Sequence, residues 1–231
     1  MESASYQLVR SRRRSFELRV HSNRPVGERV ELRAPLRASR ADIDAFFVSR
    51  QGWLQRTLQT VDAAPPPWRC EEGAPLWLLG ESLTLRLLTG KVGVWGEGEQ
   101  LCLSLPQAQE ARYLALLQGW YRQQAEHIFQ RYIDLHFPYF AALGHTRPTL
   151  RIKRMKSRWG SLSARGNLNL NLALLQYAPD CIEYVVVHEL CHLQHMNHGA
   201  GFKALQAQLL PDWQVRKAQL DVQARSQSLP F

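Results

Sequence analysis

Cysteine is scarce in this sequence, and its few copies do not form a ligand or disulfide motif. The chain has four cysteines in 231 residues, and no two of them make a C-x-x-C pair. This spacing excludes a zinc ribbon and gives no clear disulfide framework. Proteins without such a framework are typical of a reducing compartment, so we expect the chain to be cytoplasmic.

Long apolar runs are also missing. No stretch approaches the roughly 18 consecutive apolar residues that a membrane-spanning helix needs. The first residues, Met-Glu-Ser-Ala-Ser-Tyr, lack the basic-then-apolar order of a signal peptide. We therefore expect no membrane partner.

Acidic residues are in deficit. The chain has 20 Asp and Glu against 29 Lys and Arg, which gives a formal net charge of +9, and arginine outnumbers lysine. A basic chain suits an acidic partner, which could be nucleic acid, a nucleotide or an acidic protein surface. The planar guanidinium of arginine forms paired hydrogen bonds, so recognition of a phosphate or carboxylate is a further hypothesis.

The first half of the chain has the patterns of short strands. Apolar and polar residues alternate on both sides of a turn within residues 16–34, which predicts a β-hairpin with one buried face. Ser39 can cap a helix with an apolar stripe over about residues 39–60. Residues 75–105 contain further short runs separated by glycine turns. We therefore predict a β-rich scaffold region over residues 1–105 with one helix.

The character of the sequence changes at Pro106. Residues 107–136 carry apolar side chains at helical spacing, which predicts a long helix that Pro138 ends or bends. A predicted strand over 149–155 follows, and then the alternating run Asn167–Leu172. The leucines of that run should face a core and its asparagines the other side.

One stretch in this half contains residues that can bind a metal ion and act in catalysis. Four of the eight histidines fall within residues 184–199, which read YVVVHELCHLQHMNHG. His188 and His192 are four residues apart, so on a helix both imidazoles lie on one face and can bind one metal ion. Glu189 lies about 100° around that helix, where it can act as general base for a metal-bound water.

A catalytic zinc ion needs a third protein ligand and an open position. His198 is the leading candidate, but on a straight helix it would lie about 15 Å along the axis from His188. The helix must therefore end after His192 and the chain turn back, which the Asn and Gly that flank His198 allow. His195 is the alternative, since it would face the same side as His192 on a continuing helix.

Four motifs occur together in the second half of the chain. They are Arg158-Trp-Gly-Ser161, the run Asn167–Leu172, the stretch Tyr184–His192, and Asn197-His198-Gly-x-x-x-Phe202. Together they resemble the YgjP-like family of metal-dependent hydrolases, which carry a metallopeptidase-type domain. The match is strong over about residues 149–215 and weaker, but in register, at the front.

The resemblance implies a set of functional residues. It implies the zinc ligands His188, His192 and His198, and Glu189 as the catalytic base. It also implies that the Asn167–Leu172 strand is the sheet edge beside the cleft.

Two features depart from known patterns. Leu162 stands where the YgjP-like family commonly has cysteine, which we interpret as a packing change. The spacing from His188 to His198 equals that of metzincin proteases, but His195 replaces their glycine. Because no downstream Met-turn can be placed either, we do not assign the chain to metzincins.

These observations predict an α+β fold. A β-rich N-terminal half precedes a zincin-like catalytic domain, residues 106–231, in which the HExxH helix packs against a small sheet. The predicted function is that of a zinc-dependent hydrolase, a metallopeptidase in which Glu189 activates a metal-bound water, although imidazole ligands accept other divalent metals. Arg158 could steady an oxyanion, and Asn169 could bind substrate.

Two other functions fit the sequence. Five basic residues crowd the strand that leads to the site, Arg151, Lys153, Arg154, Lys156 and Arg158. They suit hydrolysis of a phosphoanhydride such as a nucleoside triphosphate, although no P-loop is present. A non-enzymatic nucleic-acid-binding protein with structural zinc is the third alternative, but a structural site needs no base such as Glu189. The expected partner is a polypeptide or nucleotide substrate, and the sequence predicts no oligomeric state.

Overall fold

The computed structural model describes residues 5–21, 24–63 and 68–226. The chain divides into two compact units, residues 1–66 and 67–231. Helices and strands occur in both units, so the α+β class predicted from the sequence is confirmed. None of the helices in the described ranges combines the length and the apolar character that a bilayer crossing requires.

The described part of the first unit contains a three-stranded sheet and two α-helices. The strands are β1 (Gln7–Ser11), β2 (Glu17–Val20) and β3 (Val30–Pro35), and the helices are α1 (Arg40–Ser49) and α2 (Gln51–Ala63). The spatial order is β1-β3-β2, with β1 parallel and β2 antiparallel to β3. The antiparallel pair β2–β3 is the predicted hairpin, and its inner face packs on the helices in a small separate core.

Two helices occupy the region where the sequence predicts one helix over about residues 39–60. Arg50 lies between α1 and α2 with φ −105° and ψ 1°, outside the helical range. The apolar stripe hides this break, because Phe47 before it and Leu54 after it enter the same core. Ser39 caps α1 as predicted, since its hydroxyl accepts a hydrogen bond from the backbone N–H of Asp42.

The second unit begins with a four-stranded sheet and a long helix. The strands are β4 (Pro75–Leu78), β5 (Glu81–Thr89), β6 (Gly93–Glu97) and β7 (Gln100–Leu105), and the helix is α3 (Glu110–Ala142). The spatial order is β4-β5-β7-β6, and only β5 and β7 are parallel among these pairs. Helix α3 continues through Pro138 rather than ending there.

This sheet shares one hydrophobic core with the C-terminal helices, and the compact unit that contains both begins at residue 67. The Tyr121 hydroxyl donates to the Trp77 carbonyl at 2.6 Å, which joins α3 to β4. The Leu79 N–H donates to the Leu175 carbonyl at 2.8 Å. Such contacts join residues far apart in sequence, and periodicity within a segment carries no signal of them.

A second, smaller sheet follows α3. Its strands are β8 (Thr149–Lys153), β9 (Gly160–Leu162) and β10 (Asn167–Asn171), in the order β8-β10-β9. Strand β10 is therefore central, parallel to β8 and antiparallel to β9. The expectation that the asparagine-rich strand is the sheet edge is wrong, because the short strand β9 covers that side.

The remaining elements carry the histidines. A 3-10 turn, Leu172–Gln176, leads from β10 into α4 (Pro179–Cys191), which precedes α5 (Ala200–Leu209) and α6 (Trp213–Ser226). Leu168 and Leu170 of β10 are fully buried in the core that also contains the inner residues of α3 and α4. The Glu183 carboxylate on α4 joins α3 to α6, because it contacts His136 at 2.7 Å and Arg216 at 2.6 Å.

Candidate metal centre

Helix α4 presents the HExxH motif at its C-terminal end. Pro179 begins the helix and Asp180 lies in the first turn, where an acidic residue complements the helix dipole. The helix ends at Cys191, and His192 is its C-cap residue. Tight hydrogen-bonded turns follow, and the N–H of Gly199 donates to Asn197 Oδ1 at 3.2 Å just before α5 begins. The chain therefore turns back after His192, as the third-ligand argument requires.

The turn brings three imidazoles together. Ligand nitrogens of His188, His192 and His198 all lie within 4.8 Å of one another. The Nε2 atoms of His188 and His198 are 3.0 Å apart. The buried ring of Phe202, on α5, packs against each of the three imidazoles with centroid distances of 4.7–4.9 Å. The predicted set His188, His192 and His198 thus converges on one point.

Hydrogen bonding orients His192 and sets His195 apart. The Nδ1 atom of His192 lies 2.9 Å from the backbone carbonyl of His195, so Nδ1 donates and Nε2 is left as the free ligand atom. The His195 ring instead packs on Gly201, where an added Cβ would come within 2.9 Å of its Cε1 atom. His195 contributes its carbonyl, and its ring is not in the cluster.

His188 has the most protected environment of the three. Burial, with the neighbouring charges of His192 and His198, lowers the pKa of His188 to about 4, while hydrogen bonding by Gln206 acts in the opposite direction. Gln206 is fully buried on α5, where it lies beside His188. The neutral imidazole that results at pH 7 is the form that binds metals.

Glu189 is a buried carboxyl group beside the cluster. Its side chain is 5% exposed. Burial raises the pKa of Glu189 to about 7, and a hydrogen bond from the Leu162 backbone and the charge of Arg158 oppose this rise. A Cβ on Gly160 would lie 2.6 Å from Glu189 Oε1, so only glycine leaves room for the carboxyl at this point of β9.

The two predicted substrate residues lie in different places. Arg158 is exposed in the loop before β9 and is close enough to Glu189 to influence its pKa. Asn169 lies on β10 and pairs with Ser161 of β9. Its side chain donates to the Ser161 carbonyl and hydroxyl. Because side chains alternate along a strand, Asn169 lies on the opposite face of the sheet from Gly160 and Glu189.

Asn171 has a role that the sequence did not reveal. Its side-chain amide donates to the carbonyls of Met155 and Arg158 at 2.8 and 3.1 Å, and its oxygen accepts from the N–H of Ala173 at 3.2 Å. It is buried and ties the loop that carries Arg158 to β10. Period-two alternation marked Asn171 only as a residue facing away from the core, so nothing in the pattern distinguished it from Asn167.

The donor set fits a divalent transition metal. Three imidazole nitrogens converge, and burial holds the pKa of His188 and of His192 below the usual value for histidine. Zinc and several other divalent ions accept three imidazole nitrogens as ligands.

Comparison with known proteins identifies the family. The sequence model described as "YgjP-like, metallopeptidase domain" matches residues 14–223, which is nearly the whole chain. The chain belongs to the YgjP-like family. It is therefore a metal-dependent hydrolase of the metallopeptidase type, and the non-enzymatic alternative is set aside. Membership also implies a catalytic metal.

Two solved structures are similar to part of this YgjP-like chain. The metallopeptidase zymogen abylysin of Pyrococcus abyssi is 21% identical over 44% of this chain and 95% of its own, with a TM-score of 0.36. The metallopeptidase zymogen jannalysin of Methanocaldococcus jannaschii is 19% identical over 42% of this chain and 88% of its own, with a TM-score of 0.35. No curated protein gives a significant match.

Proposed function

We propose that this YgjP-like hydrolase is a zinc-dependent metallopeptidase in which Glu189 is the general base. The observation that carries the proposal is a buried carboxyl group, with its pKa raised to about 7, on the helix turn that also presents two of three converging imidazoles. A base of that pKa accepts and releases protons readily near neutral pH.

Each residue of the site has a role in this proposal. His188, His192 and His198 would hold the zinc ion, and the His195 carbonyl fixes the orientation of His192. The ion would supply Lewis acidity at the scissile carbonyl. Glu189 would take a proton from the attacking water and return it to the leaving amine. Gly160 keeps the space that the Glu189 carboxyl occupies, and Arg158 adds positive charge nearby.

The geometry of β9 favours an extended polypeptide as the substrate. Ser163 donates its N–H to the Asn167 carbonyl, and the Trp159 carbonyl accepts from Asn171 N–H, so the odd-numbered residues of this strand bond to β10. Gly160 and Leu162 therefore direct their N–H and C=O groups away from β10, and on that side the Leu162 backbone already hydrogen-bonds to Glu189. No strand in the described ranges pairs with β9 on that side. A peptide could add there as a further strand beside Glu189.

The phosphoanhydride alternative receives less support. Arg151 and Lys153 pair with Asn169 and Asn171 of β10, so their side chains share the face that points away from Glu189. Of the five basic residues that suggested this alternative, Arg158 alone influences the pKa of Glu189. A polypeptide substrate is therefore favoured.

The test compares the zinc-loaded protein with its Glu189→Gln variant on unstructured polypeptides and, separately, on nucleoside triphosphates. We expect peptide cleavage by the wild type, loss of at least about a hundredfold in the variant, and equal zinc content in both. His198→Ala should lose zinc, whereas the matched control His195→Ala should keep it. Turnover of nucleotides alone would contradict the peptidase assignment, and zinc retention by His198→Ala would contradict the ligand assignment.

A further inference from the structure

A cleft of about 460 Å³ opens next to the histidine cluster. Three segments of the second unit form its walls. These are the turn after β9 from Leu162 to Gly166, the segment before β8 around Arg147, and the chain at the end of α4, which includes His192 and Met196. The cleft therefore lies beside His192 and begins at the end of the free edge of β9.

The walls of this cleft carry charge of one sign. Arg147 and Arg165 line it, and none of its lining residues is acidic. Arg147 already pairs with Asp134 and bonds to Gln130. Arg165 is exposed on the turn between β9 and β10 and forms no hydrogen bond or ion pair with any described residue. A guanidinium group without a partner, at the rim of a cleft beside a catalytic site, is available to bind an anion of the substrate.

The position of the cleft fixes which part of a substrate would reach it. A peptide added to the free edge of β9 runs past Gly160 and Leu162, and Leu162 is itself a wall of the cleft. Residues of the peptide beyond the scissile bond on that side would therefore enter the space between Arg165 and the end of α4. Three hydroxyl groups, those of Thr146, Thr149 and Ser163, also line this space and suit a polar group better than an apolar one.

We propose that this cleft binds a carboxylate of the polypeptide substrate through Arg165, with Arg147 as a second, already paired guanidinium. The inference rests on the proposed peptidase function and adds a preference for acidic substrates. The carboxylate could belong to an Asp or Glu side chain close to the scissile bond, or to the C-terminus of the peptide. Both sources present the same planar anion to the guanidinium, so the experiment must separate them.

The experiment uses the zinc-loaded full chain and sets of peptides that differ at one position. Each set carries Glu, Gln or Lys at one of the positions flanking the cleaved bond, and each peptide is made with a free and with an amidated C-terminus. The readout is the ratio of kcat/KM between Glu and Gln peptides, and between free and amidated ends. Arg165→Glu and Arg165→Gln are compared with Arg112→Glu, which changes an exposed arginine at the start of α3 that does not line the cleft.

We expect the wild type to prefer the anionic peptide by about tenfold or more, which is the size of a charge-assisted hydrogen bond. Arg165→Gln should abolish the preference, Arg165→Glu should reverse it in favour of Lys, and Arg112→Glu should keep it. The effect should appear mainly in KM. A preference confined to Glu peptides identifies a side-chain carboxylate, and one confined to free ends identifies the C-terminus. Equal rates for Glu, Gln and amidated peptides in the wild type, or equal losses in the Arg165 and Arg112 variants, would overturn the proposal.

A binding measurement separates this proposal from the peptidase assignment itself. The zinc-loaded Glu189→Gln variant is titrated with fluorescent Glu, Gln and Lys peptides, alone and in combination with Arg165→Gln. Affinity that depends on Arg165 and on the peptide carboxylate supports the cleft even if no peptide is cut. Binding of ATP that depends on Arg165, with no binding of acidic peptides, would overturn it in favour of a phosphate site.

Discussion

At the scale of single residues, the missing side chain of Gly160 decides whether the Glu189 carboxyl fits beneath β9. An added Cβ would meet the Cγ and Oε1 atoms of Glu189 at 2.6 Å, far inside van der Waals contact. Gly160→Ala should therefore push the carboxyl away and lower kcat by about a hundredfold, because a displacement near 1 Å has that effect on a catalytic group. Zinc content should stay unchanged, since the histidines lie elsewhere.

Gly119→Ala is the matched control for this substitution. Gly119 lies on the exposed side of α3, and an added Cβ would meet nothing within 4 Å. It should leave activity unaltered and stabilise the protein by about 0.5–1 kcal/mol, because alanine is the better helix former. Full activity in Gly160→Ala would show that the Glu189 side chain does not need this space.

The buried carboxyl should also carry a measurable cost in stability. In the metal-free protein the pKa of Glu189 is about 7, against 4.5 for the free side chain. The unfolded chain then ionises first as the pH rises, so folding is penalised progressively between about pH 4.5 and 7 and by about 3 kcal/mol above that range. We expect Glu189→Gln to raise the unfolding free energy of the chelator-treated protein at pH 8, and to have little effect at pH 4.

Urea denaturation at the two pH values checks this prediction. The sign is specific to a carboxyl whose pKa is raised, because a carboxyl stabilised as an anion would make the variant less stable at pH 8. A variant that is equally or less stable at pH 8 would mean that Glu189 is solvated in the metal-free protein.

At the scale of elements, Asn171 holds the loop between β8 and β9 against the end of β10. Its amide bonds to the carbonyls of Met155 and Arg158 would be lost in Asn171→Ala, which leaves two carbonyl groups without that donor. We expect a loss of about 2–3 kcal/mol in stability. Trypsin should also cut faster after Lys156 or Arg158, as followed by mass spectrometry of the digest. Unchanged digestion at these sites would contradict a tethering role.

The sequence predicted elements better than their arrangement. The HExxH helix and the asparagine-rich strand followed from periodicity, because residue spacing determines which side chains share a face. The central place of β10 did not follow, because alternation identifies a strand without identifying its neighbours. The role of Gly160 could not be predicted either, because it depends on a contact with Glu189 in another element.

The third metal-binding candidate shows which local geometry the sequence can predict. Spacing alone allowed His195 or His198, and the choice depended on whether α4 continues. Asn197 accepts the Gly199 N–H in the turn that reverses the chain, and both residues are visible in the sequence as helix-ending types. The residues of the turn could be recognised in the sequence, whereas the packing of the His195 ring against Gly201 could not.

At the scale of the whole molecule, the two compact units have separate hydrophobic cores in the described residues. One core lies within residues 6–58 and the other within residues 68–224. We therefore expect denaturant unfolding in two transitions. Leu32→Ala and Leu103→Ala each remove a fully buried side chain, one from each core. Each should shift one transition only to a lower urea concentration, which corresponds to a loss of about 2–5 kcal/mol in the unfolding free energy of its own unit.

Circular dichroism and tryptophan fluorescence, recorded against urea concentration, test this expectation. The two leucine variants serve as controls for each other, because they make the same change in side-chain volume. If both variants shifted one common transition, the two cores would unfold as a single cooperative unit.

The unequal anchoring of the three histidines has a kinetic consequence. His188 and His192 belong to the end of a buried helix, whereas His198 lies on an exposed turn. His198 can move together with its turn while α4 stays intact, so a bound ion would leave and enter through a state held by two of the proposed ligands. The rate at which a chelator strips the protein should then level off at the opening rate of this turn. The time for which the protein keeps its metal would then depend on how long the turn after α4 stays closed, and not on the affinity of the site alone.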